Sequence, residues 1–211
     1  VDRFFTSQPE LADEYLDHPY FEVRAVAAKY ASVFRLPVLL ADPEPEVRAV
    51  AVLRLPERHS HALLKEPDRR VRLAIASRVS GRALVDMLSD EDYAVRVMVA
   101  RRLPAGALGL AADDPEAEVR RWVARRIAVG QLARLAADID PLVRLEVAKR
   151  LPTDRLRMLA TDEDLRVRYT VAERIDPNCL PLMASDPDDA VRQLVERRMQ
   201  EPKPDTYAGE D

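Results

Sequence analysis

Two rows of arginine and one row of carboxylates dominate the chemistry open to this chain. Arg24, Arg48, Arg72, Arg96, Arg120, Arg144, Arg168 and Arg192 each follow a valine and stand 24 residues apart. Six residues before each of the last seven comes an acid: Asp42, Glu66, Asp90, Asp114, Asp138, Asp162 and Asp186. Guanidinium and carboxylate at a fixed spacing suit charge-assisted, bidentate hydrogen bonding. Two readings stand: a ladder joining each arginine to the acid of its own or the next repeat, or a line of anion receptors. The acid accompanying nearly every arginine favours the ladder. Repetition also argues against catalysis by these acids, since a catalytic residue would normally break the repeat.

The second row is Arg54, Arg78, Arg102, Arg126, Arg150, Arg174 and Arg198. Arg101, Arg125, Lys149 and Arg197 stand just before four of them. These residues fall where helices should end, and cations there favour the helix dipole. They read as caps on a solvated face, or as a basic edge for an acidic protein or a phosphate backbone. Trp122, the only tryptophan, lies beside Arg120 and Arg121. Trp with Arg makes an interface anchor, and ordinary partial burial is the alternative. The interaction candidates are therefore Arg101, Arg102, Trp122, Arg125, Arg126, Lys149 and Arg150. Few aromatics interleave with the basic edge, so nucleic acid is a weaker partner than protein.

Other chemistry is sparse. His59 and His61 could supply two metal ligands, but no third is evident, so no metal site is assigned. Ser60 between them replaces a leucine found in the other repeats, a local defect. Cys179 is the only cysteine, which leaves neither a disulfide framework nor a cysteine-based metal site. No Gly-rich phosphate loop, nucleophile–base signature or His-Glu-x-x-His helix is present. No small-molecule substrate and no catalytic residue are evident, and the expectation is a protein that is not an enzyme.

The elements that hold these residues follow from the period. Counting each valine of the Val–Arg pair as position 0, positions +4 and +8 are apolar in every copy, such as Val119, Val123 and Ile127. That spacing marks one face of an α-helix. The acid at −5, often followed by proline, reads as an N-cap, and Pro56, Pro104 and Pro152 stop the helix after +8. Each helix should run about 13 residues, or roughly 20 Å. The remaining residues, as in Leu156-Arg157-Met158-Leu159-Ala160, fit a short 3₁₀ or single-turn helix rather than a second full one. Sustained period-2 alternation is absent, so no sheet is expected. The small residue at +5, Ala28 to Ala172, should let neighbouring helices approach closely, and Glu196 takes that place in the last copy.

The pattern Asp-Pro-x-x-x-Val-Arg-x-x-Val-Ala-x-Arg-Leu-Pro, then Leu-x-x-Leu-Ala, is clearest at residues 114–128 and 138–160. It resembles the leucine-rich repeat variant family of 24-residue repeats. The resemblance spans about residues 17–200. It implies an all-α solenoid of eight repeats, each an α-helix and a 3₁₀-helix, in a right-handed superhelix without strands. Some members, from nitrogen-fixing bacteria, carry an N-terminal cysteine cluster binding [4Fe–4S]. This chain lacks those cysteines, so the resemblance places any such cluster on cysteines upstream of Val1. The chain opens on valine rather than methionine, so preceding residues are expected. Seven aromatics crowd the first 34 residues. Phe4, Phe5, Tyr15, Tyr20 and Phe21 read as a hydrophobic cap, as a docking face for an upstream module, or as both.

The domain reading is a cap or partial repeat at 1–16, the repeats at 17–200, and a polar, disordered tail at 201–211. A net charge of −4 gives no global push toward nucleic acid. No run is long and apolar enough for a membrane span, and no secretory signal is visible, so a cytoplasmic protein is expected. The functional expectation is a scaffold for protein–protein interaction, with an upstream iron–sulfur module adding a redox or sensing role. The alternative is polyanion binding along the basic edge.

Overall fold

Valine at position 0 is fully buried in the seven copies from Val47 to Val191, and Val23 in the first is half-buried. Burial of that face drives the helices onto one another, since each core side chain contributes about 1.5–3 kcal/mol. In the computed structural model, which describes residues 2–63 and 65–201, no strand occurs among the described residues. The chain divides into two compact units, one ending at Leu103 and the other starting at Pro104.

The first unit opens with a short α-helix, Asp2–Ser7, and a 3₁₀-helix, Pro9–Tyr15. Four repeat helices follow: Phe21–Tyr30, Pro45–Arg54, Arg69–Ala76 and Tyr93–Arg102. The second unit carries Ala117–Arg126, Pro141–Arg150, Leu165–Arg174 and Asp189–Gln200. Within each unit every repeat helix packs on the next. The contact is close because +5 is small: Ala28, Val52, Ala76, Ala124, Ala148 and Ala172 are at most 1% exposed. Glu196, at the same position, is exposed.

Between the helices run the shorter elements. Leu36–Ala41, Glu57–Leu63, Thr153–Leu159 and Pro177–Met183 are 3₁₀-helices. Gly81–Asp86 and Val129–Leu132 are brief α-turns that tighten into 3₁₀. Gly81 starts its turn at φ +55°, a left-handed conformation that glycine adopts without a side-chain clash.

The helices are shorter than the spacing predicts, ten residues in most repeats rather than about 13. The reason lies at their N-termini. The −5 acid is not the cap: its carboxylate turns back onto the amide of −3, as from Glu44 to Asp42 (2.9 Å) and Asp140 to Asp138 (2.9 Å). That turn consumes the residues assigned to a first helical turn. The cap is position −3, where Asp68, Asp92, Asp140, Asp164 and Asp188 accept amide hydrogen bonds from the first turn. Proline falls at the first helical position in Pro45 and Pro141. At the other end the buried +8 residue is extended, as at Leu55, and a proline follows in several copies.

Candidate functional site

Freed from capping, the −5 carboxylate receives the arginine of the preceding repeat. Arg24 donates from Nε and Nη2 to both oxygens of Asp42 (2.7 and 2.8 Å). Arg48 does so to Glu66 (3.1 and 2.6 Å), and Arg72 to Asp90 (2.8 and 3.2 Å). In the second unit the pairs are Arg120–Asp138, Arg144–Asp162 and Arg168–Asp186, with both bonds at 2.7–3.2 Å. The remaining nitrogen, Nη1, turns to the backbone of its own repeat. Arg120 thereby reaches the carbonyls of Asp114 (2.7 Å) and Pro115 (3.1 Å), and Arg96 those of Asp90 (2.8 Å) and Glu91 (3.2 Å). Arg192 donates to the Asp186 carbonyl and pairs with Asp189 on its own helix.

The pairs are largely dry, and their protonation follows. Burial pushes the Asp42 and Asp138 carboxyls up, but hydrogen bonds from Arg24 and Arg120 and from the −3 amides outweigh it. Both are held below the ordinary carboxylate range. Asp164, a cap hydrogen-bonded to Arg166, is lowered to about 2. Arg24, Arg48, Arg72, Arg120, Arg144 and Arg168 are raised, chiefly by their carboxylate hydrogen bonds. These groups stay ionised near neutral pH and exchange no protons there.

The second arginine row reaches in the opposite direction, to the end of the preceding helix. Arg54 donates to the carbonyls of Ala28 (2.8 Å) and Ala31 (2.5 Å), and Arg102 to those of Ala76 and Val79 (both 2.6 Å). Arg150 reaches Ala124 (2.6 Å) and Ile127 (2.8 Å), Arg174 reaches Ala148 and Leu151, and Arg198 reaches Ala172 and Ile175. These carbonyls lack helical partners, so each arginine caps the helix of its neighbour. Arg102 and Arg150 therefore hold the stack as well as edging it. Sequence spacing placed this row at helix ends but not against the previous repeat. The signal was its presence in every copy after the first.

In the first copy the row is Tyr30, whose hydroxyl shares a hydrogen bond with Thr6 Oγ1 (3.0 Å) and donates to Asp2 (3.3 Å). Around it the aromatic residues close over the first helix. Phe5 is 1% exposed and lies edge-on to Phe4 and Tyr15, with centroids 5.1 and 5.3 Å away. Phe5 thus lies inside the cap. Tyr15 and Phe21 are half-buried, and Phe4 and Tyr20 are exposed.

One departure from the repeat gathers charge around an aromatic ring. Glu146 sits at +3 of its copy, where Trp122 stands one repeat earlier. Its side chain is 9% exposed and faces Arg125 at 3.0 Å, Lys149 at 3.5 Å and Arg121 at 3.7 Å. Burial raises the Glu146 carboxyl, and the Arg125 hydrogen bond with the charges of Arg125, Lys149 and Arg121 more than reverses this. Arg125 also lies over the half-buried Trp122 ring at 4.9 Å. The buried Arg121 Nε makes no hydrogen bond among the described residues. Of the other interaction candidates, Arg101 is exposed at the end of Tyr93–Arg102, and Arg126 is half-buried at the end of Ala117–Arg126.

Ser60 is 1% exposed and its hydroxyl has no hydrogen-bond partner among the described residues. His59 is half-buried, while the His61 side chain lies outside the described residues. No group of three or more His, Cys, Asp or Glu side chains suited to a metal ion occurs among the described residues. No described helix is long and apolar enough to cross a membrane. The tail assigned to 201–211 lies outside the described residues beyond Glu201.

Comparison with known proteins matches residues 93–116 to the family described as leucine rich repeat variant. A solved structure, described as a leucine-rich repeat variant with a novel repetitive protein structural motif, is 37% identical and superposes with a TM-score of 0.88. The match covers 93% of this chain and 84% of that one. An uncharacterized 27.7 kDa protein in the nifB 3′ region of Rhodobacter capsulatus is 67% identical over 45 residues. That match spans 21% of this chain and 18% of the relative.

Proposed function

The chain belongs to the leucine-rich repeat variant family, and from its all-α repeat fold we propose that it is a non-enzymatic scaffold that binds another protein. The observation that carries this is the cluster of Trp122, Arg121, Arg125 and Lys149 around Glu146. Elsewhere in the repeats most arginines and acids serve the stack itself. Here the charges serve neither ladder. A half-buried Trp with Arg stacked on it is a ready anchor, and Arg121 and Lys149 can take acceptors from a partner's acidic segment. Few aromatics accompany Trp122 for base stacking, which favours a protein over a nucleic acid.

The test is photocrosslinking from a reactive residue in place of Leu145, in the protein's own host, read by mass spectrometry. The expected result is a defined protein adduct that disappears in a Trp122→Ala, Arg125→Glu double variant of unchanged circular dichroism. Equal adduct yield in the double variant overturns the assignment. A salt-sensitive complex with duplex DNA, and no protein adduct, would favour polyanion binding instead.

The iron–sulfur role implied by the family resemblance does not fit the residues present. Such a cluster takes about four cysteine thiolates, and Cys179 is alone and half-buried. A redox or sensing role would rest on cysteines outside this sequence. Visible absorbance and electron paramagnetic resonance of anaerobically purified full-length protein test it.

A further inference from the structure

A different surface, in the first unit, lies over the first repeat. A cleft of about 910 Å³ opens between the turn at residues 13–19 and the segment 34–43. Two of its lining residues are apolar and well exposed: Phe34 is 93% exposed and Val38 71%. Phe34 departs from the pattern, since the same position in later repeats holds Arg58, Arg82, Gly106, Gly130, Asp154 and Asn178. The stack gives Phe34 no packing role, and Tyr20 nearby in sequence is also exposed.

The polar lining is net acidic. Arg24 and Asp42 neutralise each other, which leaves Asp13, Glu14 and Asp17 against Arg35. Pro19, Pro37 and Pro43 line the cleft and carry no amide hydrogen, so they offer a ligand no backbone donor. The volume falls in the range of ligand-binding clefts.

We propose that this cleft binds a cationic peptide segment of a partner protein, seating an apolar side chain against Phe34 and Val38 and lysine or arginine against Glu14 and Asp17. The recognition is electrostatic at the rim and apolar at the anchor. It shares no residue with the Trp122 surface, so either can fail alone.

The experiment is fluorescence anisotropy of the full chain with two labelled peptides of equal length, one alternating lysine with leucine and one alternating glutamate with leucine. The lysine peptide should bind and the glutamate peptide should not. Phe34→Ser and the pair Glu14→Lys, Asp17→Lys should each weaken binding about tenfold or more. Leu110→Ser, which removes an exposed apolar residue of the second unit, should leave it unchanged. Phe34 is almost fully exposed, so its variant should keep the circular dichroism of the parent. Equal binding of both peptides, no binding, or indifference to both cleft variants overturns the proposal. So does self-association that Phe34→Ser abolishes, which would make the occupant a second copy of the chain.

Discussion

Replacing Ser60 with leucine should stabilise the protein by about 2 kcal/mol. At the equivalent place Leu36, Leu84, Leu108, Leu132, Leu156 and Leu180 are at most 3% exposed, and Ser60 is equally buried. Burying a leucine side chain is worth about 1.5–3 kcal/mol. Removing a buried hydroxyl without a partner recovers about 1–3 kcal/mol more. Against this stands about 1–3 kcal/mol of strain where the neighbours have closed around the smaller residue. Urea unfolding followed by circular dichroism measures the difference. With a slope of about 2 kcal/mol per molar, the midpoint should rise by about 1 M. The reciprocal change, Leu156→Ser, should cost at least about 3 kcal/mol, since it opens a cavity and buries an unpaired hydroxyl. Hydrogen exchange over residues 45–63 localises the gain. If Ser60→Leu leaves stability unchanged or lower while Leu156→Ser lowers it, the serine is accommodated and the reasoning fails.

Arg120→Met should destabilise the second unit by about 3–5 kcal/mol because it leaves the Asp138 carboxylate buried and unpaired, whereas Arg120→Met with Asp138→Asn should cost less; a double-mutant cycle in urea measures both. Arg150→Met removes donors from the carbonyls of Ala124 and Ile127, for an expected loss of about 1.5–3 kcal/mol that Arg150→Lys restores only in part. The depressed carboxyls of Asp42, Asp138 and Asp164 give stability that is complete above their unfolded value near about 4 and is lost as pH falls through their lower folded values. Acid titration followed by circular dichroism should therefore show unfolding setting in below about pH 4, and stability that is constant from pH 4 down to 2 would contradict this.

Much of this architecture can be read from the residues because it repeats. Valine at 0 with apolar +4 and +8 identifies the helix, and alanine at +5 identifies its close neighbour. What resists reading is direction. The −5 aspartate has the sequence look of an N-cap, yet its partner lies in another repeat and the cap is three residues from the valine. Local propensity favours both roles, and the inter-repeat arginine decides between them. The +7 arginine fails in the same way, since a cation at a helix end suits its own dipole as well as a neighbour's carbonyls. The Glu146 cluster is harder still. Nothing local marks a glutamate as buried. Its partners Arg121 and Arg125 lie on the preceding helix, and only adjacency of the repeats brings them to it.

The opposed reach of the two arginine rows makes copy number an editable quantity. Within a unit each interior repeat holds its successor through Arg at +1 and its predecessor through Arg at +7. A whole repeat inserted between two others would present both grips to its neighbours and receive both from them. Lengthening or shortening by 24 residues should thus keep the two arginine grips in register, while any other number would set guanidinium against the wrong backbone. Growth by duplication is built into the side chains, and the same rule lets an engineer splice a copy carrying a chosen surface into the middle of the stack.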